Sequence, residues 1–247
     1  TRNVTYTYAS GAYHGGVRES GVLIDDSGLG SVRVYIKDSH TVVDGLALLA
    51  GTSTHTIRVY ADEGCIVRNM VVGEGGHGTT VDAGGTVTDP HVIENCLYYG
   101  QIQGAIQLVQ GTSGRPILDS RFVVNNCTCA EDSTRFLRIA CNEAGYTSTA
   151  YINNNLVLGA GVQPWSETGA GIGGLTYIGA NNFGRTSSGF GGNNPGGLQA
   201  GSQGWTYSTN PEDSSTGDLV IYNATTSELY DVSGNDAWHY LTDLTDA

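Results

Sequence analysis

Positive charge is scarce in this sequence, and the scarcity excludes one class of partner. Lys37 is the only lysine, and 11 Lys and Arg residues face 24 Asp and Glu residues, which gives a formal net charge of −13. Proteins that bind nucleic acid need clustered lysine and arginine to neutralise phosphate groups. We therefore expect no nucleic-acid partner, and we interpret the excess of acid as keeping a large surface soluble.

Long apolar runs and helix-forming stretches are also missing. No segment approaches the roughly 18 consecutive apolar residues of a membrane span, so we expect no membrane partner. Charged residues make up only 14% of the chain, whereas glycine occurs 37 times among 247 residues. This balance favours many short strands and tight turns over helices, and the length fits one large all-β domain.

The cysteines lack the spacing of a metal site or a disulfide framework. There are five of them, an odd number: Cys65, Cys96, Cys127, Cys129 and Cys141. The closest pair is C-x-C and not the C-x₂-C of a zinc knuckle, and no second pair follows it. Free cysteines are usually buried and behave as small apolar side chains. We therefore expect no metal and no other cofactor.

What the sequence does contain is a short phrase that recurs. The copies are VDGLAL from Val43, VRNMVV from Val67, IENCLY from Ile93, LDSRFV from Leu118 and INNNLV from Ile152. The steps between them are 24, 26, 25 and 34 residues. Self-similarity at such a period indicates a solenoid. The apolar residues alternate with polar ones and do not follow a 3.6-residue period, so the pattern predicts coils built from strands.

The third position of each phrase is small or polar. It is occupied by Gly45, Asn69, Asn95, Ser120 and Asn154. Glycine and asparagine tolerate the left-handed backbone that a corner between two strands requires. Asn side chains stacked one strand spacing apart, about 4.8 Å, are able to hydrogen-bond along the stack. The long last step predicts a loop insertion at about residues 129–148.

Two of these phrases resemble the rungs of a known superfamily. VIENCLYYG at 92–100 and YINNNLVLG at 151–159 are similar to the I-x-N-N-x-h rungs of the right-handed parallel β-helix proteins typified by pectate lyases and phage tailspikes. The resemblance covers roughly residues 40–185. It implies an all-β chain in which residues 1–210 form a single right-handed parallel β-helix with coils of about 25 residues. It says little about activity, because fold does not determine function.

The end of the chain follows a different pattern. TGDLVIYNATTSELYDVSGNDAWHYL at 216–241 alternates strand and turn signals, which predicts a small antiparallel β meander within residues 211–247. This phrase resembles a GDL-x-Y-N-x-T-T-x-x-L-Y module of bacteriophage fibres and other virion proteins. The alternative is a cap that covers the open end of the solenoid and prevents edge pairing.

Galacturonan hydrolases of the superfamily carry an Asp pair and a G-H-G signature, and this chain matches them only in part. Asp25 and Asp26 form a pair, and His77 lies between two glycines, but the pair is 51 residues upstream of His77, about two coils away. The other signatures of that family are missing. We therefore interpret the G-H-G as a loop in a glycine-rich chain.

The polysaccharide lyases of the superfamily offer a second comparison. Their R-x-P-x-x-R pattern is not kept, because Pro116 directly follows Arg115. Asp119 and Arg121 remain candidates for a lyase site, but we favour their pairing with Arg68 and Glu94 on neighbouring strands as a structural ladder.

The weak catalytic candidates are thus three carboxylates, Asp119, Glu131 and Asp132. The last two lie in the predicted loop insertion, beside Arg135 and Arg138, and loops carry function more often than cores do. Carboxylates roughly 5–10 Å apart serve glycoside hydrolysis. Tyrosines near the coils either stack on sugars or pack against the coil surface: Tyr98, Tyr99, Tyr146 and Tyr151.

Two functions fit these observations. In the first, the chain is a non-enzymatic bacteriophage structural protein of the virion, either a capsid decoration protein or a fibre component. Its partners are then further copies of itself, with a homotrimer expected, the major capsid protein, and host-surface polysaccharide. In the second, it is a carbohydrate-active enzyme, a polysaccharide lyase or glycoside hydrolase, that is secreted or carried on a virion. We favour the first because no complete active-site signature is present.

Overall fold

The chain forms a parallel β-solenoid. The computed structural model describes residues 4–6, 23–25, 34–49, 55–82, 84–110, 119–129, 133–141, 147–153, 155–157, 163–168, 175–180, 183–184, 205–213, 218–223 and 229–231. This part of the chain contains strands and no helix, so it also holds no helix able to cross a membrane. The predicted all-β parallel solenoid is confirmed.

Three parallel sheets make up the faces of the solenoid. Sheet A contains β1 (Val4–Tyr6), β4 (Thr41–Asp44), β7 (Ile66–Arg68), β10 (His91–Glu94), β13 (Asp119–Asn125), β16 (Thr147–Asn153) and β19 (Leu175–Ala180). Sheet B contains β2 (Leu23–Asp25), β5 (Ala47–Leu49), β8 (Val71–Gly73), β11 (Leu97–Tyr99), β14 (Thr128–Cys129), β17 (Leu156–Val157) and β20 (Phe183–Gly184). Sheet C contains β3 (Val34–Ile36), β6 (His55–Val59), β9 (His77–Val81), β12 (Gly104–Gln110), β15 (Arg135–Cys141) and β18 (Gln163–Thr168).

Strands enter the three sheets in rotation, so each coil gives one strand to each face. Parallel neighbours joined by crossovers follow a strong right-handed preference. The right-handed sense of this coil stays a prediction from the resemblance, and the general preference agrees with it.

The core consists of stacked apolar side chains. In sheet A one inward column contains Val43, Val67, Ile93, Val124 and Ile152, each at most 1% exposed. Because side chains alternate along a strand, every second residue of these strands faces inward and is held against the same position of the next coil. The alternation in the recurring phrase therefore specifies the core directly.

One predicted rung is wrong. The sequence pattern places Leu118 in the column, whereas the register places Val124 there, paired with Ile93 on one side and Ile152 on the other. The steps along the chain are therefore 24, 26, 31 and 28 residues. The physical reason is that β13 is seven residues long and pairs with β10 only through residues 122–125, so a phrase that begins at residue 118 starts ahead of the shared register.

The predicted left-handed corners are present between sheets A and B. Gly45 has a φ of 74°, and Asn69 and Asn95 each have a φ of 53°. The fourth corner is Asn126, also at 53°, and not Ser120, which lies within β13. Asparagine tolerates this conformation better than other residues with a side chain, which explains why the corners are Asn wherever they are not Gly. Asn154 lies outside the described residues.

The predicted hydrogen-bonded stack of asparagine side chains is only partly present. Asn153 Nδ2 donates to Asn125 Oδ1 at 3.2 Å, just before the corner. At the corner itself, Asn69 Nδ2 donates to Asp44 Oδ1 at 2.8 Å, while the Oδ1 atoms of Asn95 and Asn126 accept no hydrogen bond. Backbone conformation, and not an amide ladder, therefore accounts for asparagine at these corners.

Cysteine burial follows the prediction in the part of the chain whose side chains are described. Cys65, Cys96, Cys127 and Cys129 are free thiols and at most 1% exposed, whereas the Cys141 side chain lies outside the description. Cys96 and Cys127 each follow an asparagine corner and point into the core. Burial, followed by a hydrogen bond with Cys96, raises the pKa of the Cys127 thiol. These thiols are core side chains.

The predicted loop insertion at 129–148 is also wrong in its main part. The strand β15 occupies Arg135–Cys141 and pairs with β12 in sheet C, so these residues belong to the solenoid.

Near the end of the chain, β21 (Trp205–Asp213), β22 (Asp218–Asn223) and β23 (Leu229–Asp231) form an antiparallel sheet. Its last two strands are the first two of the predicted meander; the predicted third, at about residues 238–240, lies outside the described residues.

Candidate functional site

The carboxylates proposed from the sequence are not brought together by the described structure. Asp119 is the first residue of β13, in register with Thr147 of β16. Glu131 and Asp132 lie outside the described residues. The catalytic role of all three therefore stays a prediction.

The expected ladder of Asp119 and Arg121 with Arg68 and Glu94 is not formed. Glu94 is in register with Asn125, at the other end of β13 from Asp119. The Arg121 guanidinium donates instead to the Thr149 hydroxyl of the next strand. Arg115 lies outside the described residues.

A charged ladder does exist on the outer face of sheet A, on the strands β4, β7 and β10. Arg68 Nε lies 3.0 Å from Asp44 Oδ2, and Arg68 Nη1 lies 4.0 Å from Glu94 Oε1. The three residues are in register on consecutive strands. Both carboxylates face the same guanidinium, so this arrangement stabilises strand stacking and leaves neither carboxylate poised as a general base.

The prediction of a loop at the G-H-G sequence is wrong. This sequence lies at the start of a buried strand. His77 is the first residue of β9 in sheet C and is 2% exposed. Asp25, which the galacturonan-hydrolase comparison would bring close, belongs to sheet B, and Asp26 lies outside the described residues. The structure therefore gives no pairing of Asp25 with His77.

Gly78 is required by close packing, which gives a testable prediction. A Cβ added at Gly78 would lie 2.5 Å from the Ala105 carbonyl oxygen and 2.6 Å from Tyr98 Cδ1. We expect Gly78→Ala to lower the free energy of unfolding by about 1–3 kcal/mol, because overpacking forces the backbone or the Tyr98 ring to shift.

Chemical denaturation followed by circular dichroism measures this loss, and Gly104→Ala is the matched control in the same sheet. A Cβ there would lie 3.0 Å from Arg135 Cγ and no closer than 3.7 Å to the Arg135 carbonyl oxygen, so it meets a side chain and we expect a smaller loss. Equal losses in the two variants would contradict the packing argument.

The tyrosines considered for sugar stacking separate into two groups. Tyr98 is fully buried in the core, where its hydroxyl lies 2.8 Å from Thr79 Oγ1, and Tyr99 is 5% exposed against an apolar cluster outside sheet B. Neither is available to a sugar. Tyr151 is 38% exposed, and Tyr146 lies outside the described residues.

The strongest concentration of polar side chains lies on the outer side of sheet C. The His55 and His77 rings, in register on β6 and β9, stack with centroids 5.5 Å apart and planes inclined by 15°. Thr80 Oγ1 donates to Gln107 Oε1 at 3.5 Å and lies 2.7 Å from His55 Nδ1. In the 2.7 Å contact the donor is either the Thr80 hydroxyl or His55 Nδ1–H, according to the His55 tautomer.

Burial keeps both histidines neutral at neutral pH. The pKa of His77 is lowered to about 4, first by burial and then by charge interactions with His55, Arg138 and Arg135, against a hydrogen bond with Gln103 that raises it. The pKa of His55 is lowered by burial and by Arg58, while Asp82 acts in the opposite direction. A neutral His77 donates a hydrogen bond from one ring nitrogen and accepts one at the other, and it carries no charge.

A bidentate ion pair borders the histidines. Arg58 Nε donates to Asp82 Oδ2 at 2.7 Å, and Arg58 Nη2 donates to Asp82 Oδ1 at 3.2 Å. The Asp82 side chain is 1% exposed and the Arg58 side chain 31%. The Arg58 guanidinium also lies over the Tyr35 and Tyr60 rings, 5.9 and 5.7 Å from their centroids. Asp82 is therefore held as a structural counter-ion.

Sequence reasoning missed this cluster. It assigned His77 to a loop and Arg135 and Arg138 to an insertion, whereas all three lie on sheet C. The available signal was the segment RFLRIAC, in which Leu137 and Ile139 alternate with Arg138 as in a strand with one buried face. The side chains described contain no group of three metal-ligating residues.

Comparison of the chain with protein-family models, curated proteins and solved structures found no match. The parallel β-solenoid is shown by the structure itself. Membership of the pectate-lyase-like superfamily and the virion-like terminal module stay predictions from the sequence.

Proposed function

We propose that the chain is a non-enzymatic structural protein of a bacteriophage virion, either a capsid decoration protein or a fibre component. The proposal rests on the ion pairs that carboxylates on the outer faces of the coils form with arginines. Asp44 and Glu94 both face Arg68, and Asp82 is bound by Arg58. Such pairing across coils gives these three carboxylates a structural role, which fits a rigid rod or spacer.

An enzyme of this fold would use such carboxylates differently. Glycoside hydrolysis needs two carboxyl groups roughly 5–10 Å apart, one of them free to take or give a proton. Both Asp82 oxygens are held by Arg58 and one Asp44 oxygen is held by Arg68, so these carboxylates are engaged in ion pairs instead of facing a substrate. The described part of the surface therefore supports a structural role better than a catalytic one.

The resemblance of residues 216–241 to virion modules and the antiparallel pairing of β22 with β23 support the same proposal. The partners follow from it. Further copies of the chain, with a homotrimer as the expected form, the major capsid protein and host-surface polysaccharide are the surfaces that a decoration protein or fibre contacts.

Two measurements on the full chain test the proposal. We expect the DNA flanking its gene to encode portal, terminase and capsid proteins, and light scattering to give three times the chain mass of 25.9 kDa. We also expect no new reducing ends or unsaturated sugars from a panel of acidic and neutral polysaccharides. Cleavage that Asp119→Ala, Glu131→Ala or Asp132→Ala abolishes would replace the proposal with a carbohydrate-active enzyme.

A further inference from the structure

On the outer side of sheet C, the absence of a side chain at Gly104 lets Arg135 lie next to His77. Gly104 of β12 is in register with His77, and β12 lies between β9 and β15. A Cβ at Gly104 would lie 3.0 Å from Arg135 Cγ and 3.5 Å from Arg135 Cδ. The Arg135 stem thus lies across Gly104, toward His77. Arg138, in register with Gln107, lies in the neighbouring row, and its positive charge acts on His77.

Three polar atoms in this group are buried and have no hydrogen-bond partner. They are His77 Nδ1, Arg135 Nε and Arg138 Nε. Almost all buried polar atoms in folded proteins are hydrogen-bonded, so each orphan points to a missing partner. The Nε atoms of Arg135 and Arg138 always carry a proton to donate, and His77 Nδ1 carries one in one of its two neutral tautomers. The missing partner is therefore an acceptor.

The charges around these atoms indicate what sort of acceptor it is. Lys37, Arg58, Arg135 and Arg138 all lie on or directly after strands of sheet C, although the whole chain carries a net charge of −13. Asp82, the buried carboxylate directly after β9, is already bound by Arg58. Arg135 and Arg138 form no ion pair with any described residue. Two uncompensated guanidinium groups favour an anion over a neutral acceptor.

We propose that His77, Arg135 and Arg138 form a binding site for an oxyanion, that is, a carboxylate, sulfate or phosphate group. An oxyanion presents two oxygens side by side, and a guanidinium binds such a pair through Nε–H together with one Nη–H. A neutral imidazole carries one N–H, and in the tautomer that has it at Nδ1, His77 supplies a further donor. The site goes beyond the proposed structural role and does not depend on it.

Sulfate is the first probe, used with the full chain and compared with chloride at equal ionic strength. We expect saturable sulfate binding by calorimetry. Arg135→Gln and Arg138→Gln should each weaken it about tenfold or more, as expected for loss of a charge-assisted hydrogen bond. Lys37→Gln removes the same charge from the same sheet and should change the affinity less than about twofold, since exposed charges act weakly through water. Equal weakening by all three variants would reduce the effect to net charge and overturn the proposal.

A measurement on the unmodified chain covers the case in which an arginine variant does not fold. Sulfate should shift the NMR signals of the His77 ring and leave those of the His91 ring in place. His91 is an internal control, because it is equally buried and both its ring nitrogens have partners, Cys65 N–H and the Ala61 carbonyl. No saturable shift at His77 would overturn the proposal.

The source of the oxyanion is decided by two further probes, glucuronate and a six-residue glucuronate oligosaccharide. Tighter binding of the oligosaccharide, lost in the same arginine variants, identifies an acidic glycan, whereas equal binding identifies a free small anion. Both results support the site. Cleavage of the oligosaccharide would overturn the proposed structural function and leave the oxyanion site standing, so the two failures are distinguishable.

Discussion

Replacing Arg58 with methionine should lower the free energy of unfolding by about 3–5 kcal/mol, the cost of removing one partner of a buried ion pair. Methionine keeps most of the apolar stem of arginine, so the loss isolates the charge. The Asp82 carboxylate is 1% exposed and receives both its charge-assisted hydrogen bonds from Arg58. Without them it is a buried charge with neither a counter-ion nor access to water.

Arg68→Met is the matched control, because it removes the same side chain from an ion pair of the same solenoid. Arg68 is 40% exposed, and its partners Asp44 and Glu94 are 14% and 31% exposed. Exposed pairs contribute about 0–1 kcal/mol, since water and salt replace the missing partner. Urea denaturation of both variants gives the comparison. Equal losses would mean that burial of Asp82 does not set the cost.

A double variant separates the ion pair from the packing around it. Replacing both residues with apolar ones, as in Arg58→Met with Asp82→Leu, removes the uncompensated charge together with its partner. Such replacements are often neutral or stabilising. We therefore expect the double variant to recover most of the stability lost in Arg58→Met, and a further loss would show that the pair is needed for the fold of sheet C.

The fold was predictable from sequence because the coil repeats one physical requirement. A parallel solenoid places the same inward position of each strand above its predecessor, so Val43, Val67 and Ile93 recur at similar spacing. The corner after each strand needs a left-handed residue, and Gly45 and Asn95 satisfy it. Periodic apolar residues and corner residues are both visible in the sequence.

The fourth rung was missed because apolar alternation alone does not fix register along a long strand. LDSRFV begins one residue ahead of β13, whereas VVNNC covers the last three residues of β13 and the corner after it. The second carries the Asn126–Cys127 pair, which matches Asn95–Cys96 of the preceding coil, and Asn126 has the left-handed backbone. Corner residues are therefore a better guide to coil alignment than apolar residues, because fewer residue types tolerate a positive φ.

The polar cluster of sheet C was beyond sequence reasoning for a related reason. His77, Gly104 and Arg135 come from three consecutive coils, separated by turns of different lengths. Their alignment depends on the register of sheet C, which the rungs of sheet A do not determine. A glycine that lets an arginine lie across it also leaves no pattern of its own in the sequence. Contacts between outward side chains required the structure.

Falling pH should destabilise the chain through His77, in a window set by the two pKa values involved. In the unfolded chain the imidazole titrates near its ordinary pKa of 6.5, whereas in the fold the pKa is about 4. Between these values the unfolded state binds more protons than the folded state, so stability falls as pH falls. The loss through this one group reaches about 3 kcal/mol near pH 4 and does not grow further below it.

The difference in stability between the wild-type chain and His77→Gln isolates this effect, since the 24 Asp and Glu residues titrate in both proteins. The wild-type chain should lose more stability than the variant between pH 7 and pH 4. Part of the pH dependence should persist in His77→Gln, because the pKa of His55 is also lowered. A difference that stays constant over this range would mean that the fold does not lower the pKa of His77, and would contradict the prediction.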